Sequence, residues 1–263
     1  MNIKVLHIFA PHFKHRFSGA AIRWRSYFSF WQETSITHYI LDTNTNCVFE
    51  AKDAFSFEYD KEQAITSRWN RFFWIFSLLR CLKKQKENYD ILHFHVLWWG
   101  GLLSLFVAKL RHIPTLYESV LLGADTPTSI KKQSLGQIKL WLLRQTNGIL
   151  AISNAIASDY LNYGFGEDQV FTLMNNVDIN LFNPVKNNVE KENIRKKYLL
   201  PQNATILIFI GSIKYRKGVD TLIKAFSTAF RQHADLYLLL IVAEMQGENP
   251  SLDEGFVNHL QEQ

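Results

Sequence analysis

The chain has 263 residues, of which 47% are hydrophobic and 20% are charged. These ordinary values exclude a disordered tail, a collagen-like repeat or a low-complexity linker as its main content. At roughly 150 residues per domain, the length predicts about two domains. A net charge of +5 permits an anionic ligand, an anionic membrane surface or a nucleic acid, and selects none of them.

Several features of the sequence favour a cytoplasmic protein. Its two cysteines, Cys47 and Cys81, form no CxxC pair, which argues against a disulfide scaffold and a zinc framework. The first ten residues lack the long apolar centre of a signal peptide. The longest uncharged apolar run is residues 96–108, which is shorter than the about 20 residues of a helical membrane span. No transmembrane segment is therefore predicted.

Short β-forming runs alternate with longer stretches of helical periodicity along the chain. Several of these runs are apolar throughout, as strands covered on both faces are. The predicted strands are residues 3–9, 37–41, 91–96, 114–117, 148–152, 170–174, 206–210 and 236–242. Helical spacing is clearest in residues 20–31 and 219–230. This alternation predicts an α/β fold, with helices on both faces of a parallel sheet.

An asparagine-rich segment at residues 175–188 interrupts both periodicities. We therefore predict a Rossmann-like N-terminal domain over residues 1–183 and a second domain over residues 184–263. The second domain begins with a charged helical stretch at residues 189–198. It contains only two clear strands, which is too few for a complete doubly wound domain.

The turn after the predicted strand 206–210 is the most informative candidate for an anion site. It contains Lys214, Arg216 and Lys217, and Gly218 precedes the amphipathic helix. Cations are unfavourable at a helix N-terminus because the helix dipole is positive there, and a bound phosphate reverses the sign of that cost. The alternative is a solvated basic turn, and spacing alone does not separate the two.

A glycine opens the corresponding turn of the N-terminal domain. Gly19 follows the first predicted strand and stands at the start of a helix. One interpretation places this loop over a ligand phosphate. The other, which is favoured, makes Ser18 a plain N-cap of the helix.

Two histidines and a glutamate lie near the carboxyl ends of predicted strands, where open α/β sheets bind ligands. His93 and His95 alternate on one strand and therefore point to the same face. A metal pair is one interpretation, but core or cleft-lining histidines are favoured because no third ligand stands at metal-binding spacing. Glu118 ends the next strand, where it either positions or acts on a hydroxyl, or caps the following segment.

A basic and aromatic stretch at residues 68–86 has three interpretations. A sheet-covering helix with a basic outer side is favoured over a helix that lies on an anionic membrane. Binding of single-stranded nucleic acid is the third, and it is disfavoured because no recognised nucleic-acid module is present.

Three segments together resemble the family 4 glycosyltransferases of GT-B fold. They are AISNA at residues 151–155, MNNVDINLFNP at 174–184 and FIGSIKYRKGVDTLIKAF at 209–226. The second resembles the family's interdomain segment, and the third resembles the start of its donor-binding domain. The resemblance implies a two-lobed enzyme whose C-terminal lobe binds a nucleotide-sugar and whose N-terminal lobe presents an acceptor.

The resemblance also implies roles for single residues of the donor site. Lys217, beside Gly218, falls on the lysine that neutralises the donor diphosphate, and Gly19 falls on the loop that approaches the donor phosphates. Ser212 stands where the family has an arginine, so Arg216 is the candidate for that charge. Sugar transfer is expected to proceed with retention, with no metal at the diphosphate and no cofactor besides the donor substrate.

The candidate catalytic residues of the N-terminal lobe are His95 and Glu118, with Glu118 in a region where the family often has a histidine. The family's second lobe continues with more strands and a glutamate pair spaced eight residues apart. Glu254 and Glu262 fit that spacing, but they follow Lys217 too closely for the intervening strands. We therefore expect a fragment, cut after the second strand of its second lobe, with weak or no activity.

The expected partners are a nucleotide-sugar and a sugar or lipid-linked acceptor of polysaccharide or glycolipid assembly. We also expect peripheral contact with the inner membrane face and no nucleic acid. The alternative function is a non-catalytic binding module that docks on a membrane surface or a partner chain.

Overall fold

The computed structural model describes residues 2–8, 23–24, 27–28, 35–42, 47–50, 89–95, 97, 99–211, 213 and 217–242. The chain divides into two compact units, Met1–Asn176 and Val177–Gln263. This division lies in the asparagine-rich segment, whereas the sequence placed the boundary at residue 183. The predicted features at Gly19, residues 68–86, Arg216, Glu254 and Glu262 lie outside the described residues.

A seven-stranded sheet forms the centre of the first unit. Its strands are β1 (Ile3–Ile8), β2 (Ile36–Asp42), β3 (Cys47–Glu50), β4 (Ile91–Phe94), β5 (Thr115–Ser119), β6 (Gly148–Ala151) and β7 (Val170–Thr172). Their order is β3-β2-β1-β4-β5-β6-β7, and every neighbouring pair is parallel except β2 and β3. The predicted parallel α/β sheet is therefore confirmed, and the antiparallel edge strand β3 is an addition to it.

Helices connect the parallel strands, because such strands need a crossover. They are α1 (Trp99–Leu110), α2 (Pro127–Ile130), α3 (Gly136–Leu143) and α4 (Asn154–Asn162). Arg23, Trp24, Tyr27 and Phe28 are also helical, as the spacing of residues 20–31 predicted. Among the residues described, no helix is both long enough and apolar enough to cross a bilayer.

The strands near the centre of this sheet present different side chains to its two faces. Leu6 and Ile8 of β1 are fully buried in the apolar core, as are Leu92 and Phe94 of β4. Side chains alternate along a strand, so the residues between these point to the opposite face. On that face β1 carries His7 and β4 carries His93, and it is where the candidate site lies.

The second unit contains a parallel pair of strands, β8 (Thr205–Ile210) and β9 (Leu236–Ile241). Helix α5 (Asn188–Lys197) precedes them, and α6 (Val219–Phe230) connects them. All four elements were predicted, with ends that differ by a residue or two. Asn187 is the N-cap of α5, because its side-chain oxygen accepts a hydrogen bond from the backbone N–H of Glu190 at 2.9 Å.

Candidate functional site

The candidate site lies on the first unit's sheet, towards the carboxyl ends of β1, β4 and β5. The neighbours of β1 are β2 on one side and β4 on the other, so the direction of the chain across the sheet reverses at this point. Open α/β sheets bind ligands in the crevice beside such a reversal. His7, His95 and Glu118 come from these three strands or directly follow them, which places them at the expected location.

Glu118 is the central acceptor of the site. Its side chain is 2% exposed. The guanidinium of Arg23 donates to Oε1, while Trp24 Nε1 and His95 Nδ1 donate to Oε2 at 2.8 Å and 2.7 Å. Burial opposes ionisation of this carboxyl, but the His95 and Trp24 hydrogen bonds and the Arg23 charge outweigh it. The pKa of Glu118 therefore lies below its ordinary value, and the group is a carboxylate at neutral pH.

A chain of imidazole rings extends from Glu118 across the sheet. His95 Nε2 lies 2.9 Å from His7 Nδ1, and His7 Nε2 lies 2.9 Å from His38 Nδ1. Because Glu118 only accepts, His95 must donate from Nδ1, and a neutral His95 then accepts at Nε2. His7 Nδ1 must then donate to His95 Nε2, which leaves His7 Nε2 to accept from His38 Nδ1. The carboxylate thus sets the tautomer of three rings on three strands.

These imidazoles are neutral because they are buried beside one another. Burial, reinforced by the neighbouring histidines, holds the pKa of His7 and of His93 well below the ordinary value. Burial also lowers the pKa of His38 to about 4. For His95 burial outweighs the contact with Glu118, and its pKa is lowered as well. None of the four rings therefore carries a positive charge at neutral pH.

Arg23 ties this site to the end of the first unit. Its Nη2 contacts Glu118, and its Nη1 donates to Asn175 Oδ1 at 2.5 Å. Nearby, the Tyr27 hydroxyl donates to the carbonyl of Met174 at 3.3 Å. The end of the first unit, at Met174 and Asn175, is therefore held against the helical residues that cover the histidines. Sequence reasoning missed Arg23, since one arginine in an amphipathic helix has no distinguishing pattern.

The predicted residues fall into two groups that belong to separate units. His95 and Glu118 are in direct contact in the first unit. His93 shares a face with His95, as predicted, with ring centroids 4.2 Å apart, and β1 supplies a third histidine, His7, that sequence spacing did not reveal. Their catalytic roles remain predictions. Gly19 and Arg216 lie outside the described residues.

Lys217 and Gly218 belong to the turn that precedes α6 in the second unit. Lys217 is exposed, and Gly218 is the N-cap, with a φ of 66°. A Cβ built on Gly218 would have no atom within 4 Å, so the left-handed backbone, and not crowding, explains the glycine. The backbone of Leu222 donates to the carbonyl of Gly218 at 2.9 Å, which closes the first helical turn.

Comparison with known proteins finds similarity to enzymes of sugar transfer. Residues 54–181 match the family model for Glycosyltransferase Family 4. The chain is 26% identical over 172 residues to D-inositol 3-phosphate glycosyltransferase 1 of Catenulispora acidiphila. It is 24% identical over 176 residues to D-inositol 3-phosphate glycosyltransferase of Corynebacterium glutamicum. Each match covers 63% of this chain but only 40% and 41% of the relatives, so the chain spans about 40% of their length.

Solved structures with a similar fold extend over nearly the whole chain. Anabaena HepE, in complex with UDP-glucose, has a TM-score of 0.65 at 13% identity, covering 99% of this chain and 65% of that one. The UDP-GlcNAc 2-epimerase from Neisseria meningitidis, bound to UDP-GlcNAc, has a TM-score of 0.56 at 13% identity, covering 99% and 70%. At these identities the likeness shows the fold alone.

Proposed function

We propose that this chain serves in sugar transfer, because residues 54–181 match the family 4 model and the fold is of the GT-B type that the motifs predicted. The donor is a nucleotide-sugar, and the sugar passes to its acceptor with retention of configuration. A sugar or lipid-linked acceptor of polysaccharide or glycolipid assembly suits this role. The observation that carries the proposal is the turn between β8 and α6, whose sequence resembles the start of the family's donor-binding domain.

The second unit is proposed to hold the donor diphosphate at the start of α6. The first N–H groups of a helix have no partner within the helix. The N-cap Gly218 has no side chain to accept from them, and we propose that the donor diphosphate does so. The exposed ammonium of Lys217 adds positive charge and stabilises the diphosphate as it departs. Arg216 is proposed to add a second charge, and no metal is required at the diphosphate.

The first unit is proposed to present the acceptor, with His95 and Glu118 acting as positioning residues. Both side chains are buried, and both oxygens of Glu118 already accept hydrogen bonds. They hold Arg23, and through it Asn175, at the carboxyl ends of the strands. Their contribution is therefore the orientation of these groups, and proton transfer by Glu118 is not part of the proposal.

Nucleotide-sugar binding by two matched lysine variants tests the donor site. We expect calorimetry with UDP-glucose as the probe to show binding to the chain. Lys217→Ala removes a charge-assisted contact, which is worth about tenfold to a hundredfold in affinity. Lys224→Ala removes an exposed charge from α6, away from its N-terminus, and should bind as the parent does. Equal affinities of the two variants, or no binding of UDP-, GDP- or ADP-sugars by the parent, would contradict the proposal.

A second candidate function, docking on an anionic membrane, is favoured by the exposed face of α1 and α3. Leu103, Phe106 and Leu110 recur at helical spacing on α1 and are 45%, 45% and 65% exposed, and Trp141 of α3 is 51% exposed. Lys109 of α1 makes a cation–π contact with Trp141 of α3, since its Nζ lies 5.3 Å from the Trp141 ring centroid. Arg111, which follows α1, and Lys131, Lys132 and Arg144, which precede or follow α3 in the sequence, are exposed cations.

Sedimentation with lipid vesicles tests this docking face. The chain should sediment with vesicles of phosphatidylcholine and phosphatidylglycerol, and less with phosphatidylcholine alone. A double variant, Phe106→Ser with Trp141→Ser, should lose at least tenfold in binding, since burial of each side chain is worth about 1.5–3 kcal/mol. Leu161→Ser, at an exposed position on α4, is the control. Sedimentation of the double variant equal to that of the control would remove this candidate.

A further inference from the structure

We propose that His7, His93 and His95 form a binding site for a divalent transition-metal ion, with Zn²⁺ as the representative ion. This site is inferred independently of the proposed sugar transfer, although it shares His95 with the proposed acceptor side. It lies on the sheet of the first unit, whereas the donor diphosphate is assigned to the second unit. None of the relatives or motifs described above assigns a metal to these residues.

The three rings converge because of strand register. His7 of β1 is directly opposite His93 of β4, and His95 follows two positions later on the same face. The ring centroid of His7 lies 5.1 Å from that of His93 and 5.2 Å from that of His95. One ligand nitrogen from each ring lies within 4.8 Å of the others, and all three side chains are buried. Three neutral imidazoles are the protein ligands of one known class of zinc site.

A nitrogen of His93 lacks any hydrogen bond that would explain its position. His93 Nε2 is fully buried and has no hydrogen-bond partner among the described residues. Buried polar atoms almost always have a partner, and at His93 a group that is not part of the chain would supply one. An ion coordinated by this nitrogen would satisfy it.

The contact between Glu118 and His95 has the form of an outer-shell interaction of a metal site. Histidine ligands commonly donate their second ring N–H to a carboxylate, which fixes the ring and directs the other lone pair to the ion. His95 Nδ1 donates to Glu118 at 2.7 Å, so its Nε2 lone pair faces His7. The neutral state of the rings is also the state that binds metal.

The spacing of the two facing nitrogens accommodates an ion after a small movement. His95 Nε2 and His7 Nδ1 are 2.9 Å apart. Tetrahedral coordination with Zn–N bonds of about 2.0–2.1 Å requires a separation of about 3.3 Å. The rings must therefore part by a few tenths of an ångström. When the ion binds, the His7 proton moves from Nδ1 to Nε2, and the His38 proton also moves from Nδ1 to Nε2. His7 Nε2 then donates to His38 Nδ1, and no ring changes its charge.

The chemistry of the ligands selects the class of ion. Imidazole nitrogen suits Zn²⁺, Ni²⁺ and Cu²⁺, whereas Mg²⁺ and Ca²⁺ prefer oxygen ligands. The site should therefore bind Zn²⁺ in the presence of a large excess of Mg²⁺. This selectivity distinguishes it from weak binding of cations to surface carboxylates.

Zinc binding by the tag-free chain, stripped with a chelator, tests the site. Equilibrium dialysis against Zn²⁺ with excess Mg²⁺, followed by metal analysis, should give one Zn²⁺ per chain. His93→Gln should lose at least about a hundredfold in affinity, because removal of a ligand exceeds the effect of an outer-shell change. His233→Gln, at an exposed histidine of the second unit, should bind as the parent does. Equal binding by the two variants, or no zinc on the parent, would overturn the proposal.

X-ray absorption at the zinc edge of the parent gives an answer that needs no variant. Three imidazole ligands at about 2.0 Å would support the site. Sulfur at about 2.3 Å, which would indicate a cysteine, or a shell of oxygen alone would overturn it, even where His93→Gln fails to fold.

Discussion

The carboxylate of Glu118 holds three donors in place, and Glu118→Gln removes its charge while its shape is retained. Arg23 then keeps its guanidinium in a site where its side chain is only 9% exposed, and no other ion pair of Arg23 is found among the described residues. A glutamine also offers one acceptor oxygen in place of two. Whichever way the amide turns, its NH₂ group faces at least one of the donors from Arg23, Trp24 and His95.

The magnitude of this effect follows from burial of the pair. Removal of one partner from a buried ion pair costs about 3–5 kcal/mol, because the remaining charge is left uncompensated. We therefore expect the free energy of unfolding of the first unit to fall by at least about 3 kcal/mol in Glu118→Gln. Removal of the second charge, in Arg23→Gln with Glu118→Gln, should recover part of this loss.

Hydrogen exchange of the β4 and β5 amides measures the stability of the first unit separately from the second. Urea unfolding followed by circular dichroism gives an independent value. Glu167→Gln makes the same chemical change at an exposed position and should alter stability by less than about 0.5 kcal/mol. A loss below about 1 kcal/mol in Glu118→Gln, or a double variant no more stable than Glu118→Gln, would refute the reasoning.

Three further predictions concern stability. Gly218→Ala places a side chain at a φ of 66° and should cost about 1 kcal/mol in urea unfolding, whereas Gly218→Asn should cost less; equal costs would contradict the backbone argument. Asn187→Ala removes the N-cap of α5 and should cost about 1 kcal/mol, visible as reduced exchange protection in that helix. Burial holds the pKa of His7 and His93 well below the ordinary value, so below about pH 6.5 the unfolded chain takes up protons that the folded chain does not. With chelator present, stability should then fall by about 1.4 kcal/mol per pH unit for each histidine, and a constant stability between pH 7 and pH 5 would contradict this.

Most elements of the fold were predictable because their patterns are local. Strands such as β4 and β8 are short apolar runs bounded by turns, and α6 repeats its apolar residues at helical spacing. The edge strand β3 escaped prediction. It has only four residues and pairs with one neighbour, so little alternation marks it in the sequence.

The candidate site was predictable only in part. The period of a strand was enough to place His93 and His95 on one face. Their meeting with His7 depends on β1 pairing with β4, and the two hydrogen-bonded rings of His7 and His95 stand 88 positions apart in sequence. Arg23 and Glu118 are likewise in contact although they are 95 positions apart in the sequence, and the periodicity of a helix or strand cannot predict such a distant contact.

The amino-acid sequence by itself determined the class of fold and the resemblance to family 4, because these depend on periodicity and on contiguous motifs. Only the tertiary structure decided which polar residues meet. Strand order and register are set by burial of the apolar faces, and they bring His7, His95 and Glu118 together as a consequence. The same burial strengthens the hydrogen bonds among these groups and keeps the imidazoles neutral. The properties that favour a metal site therefore arise from packing, and no segment of the sequence carries them alone.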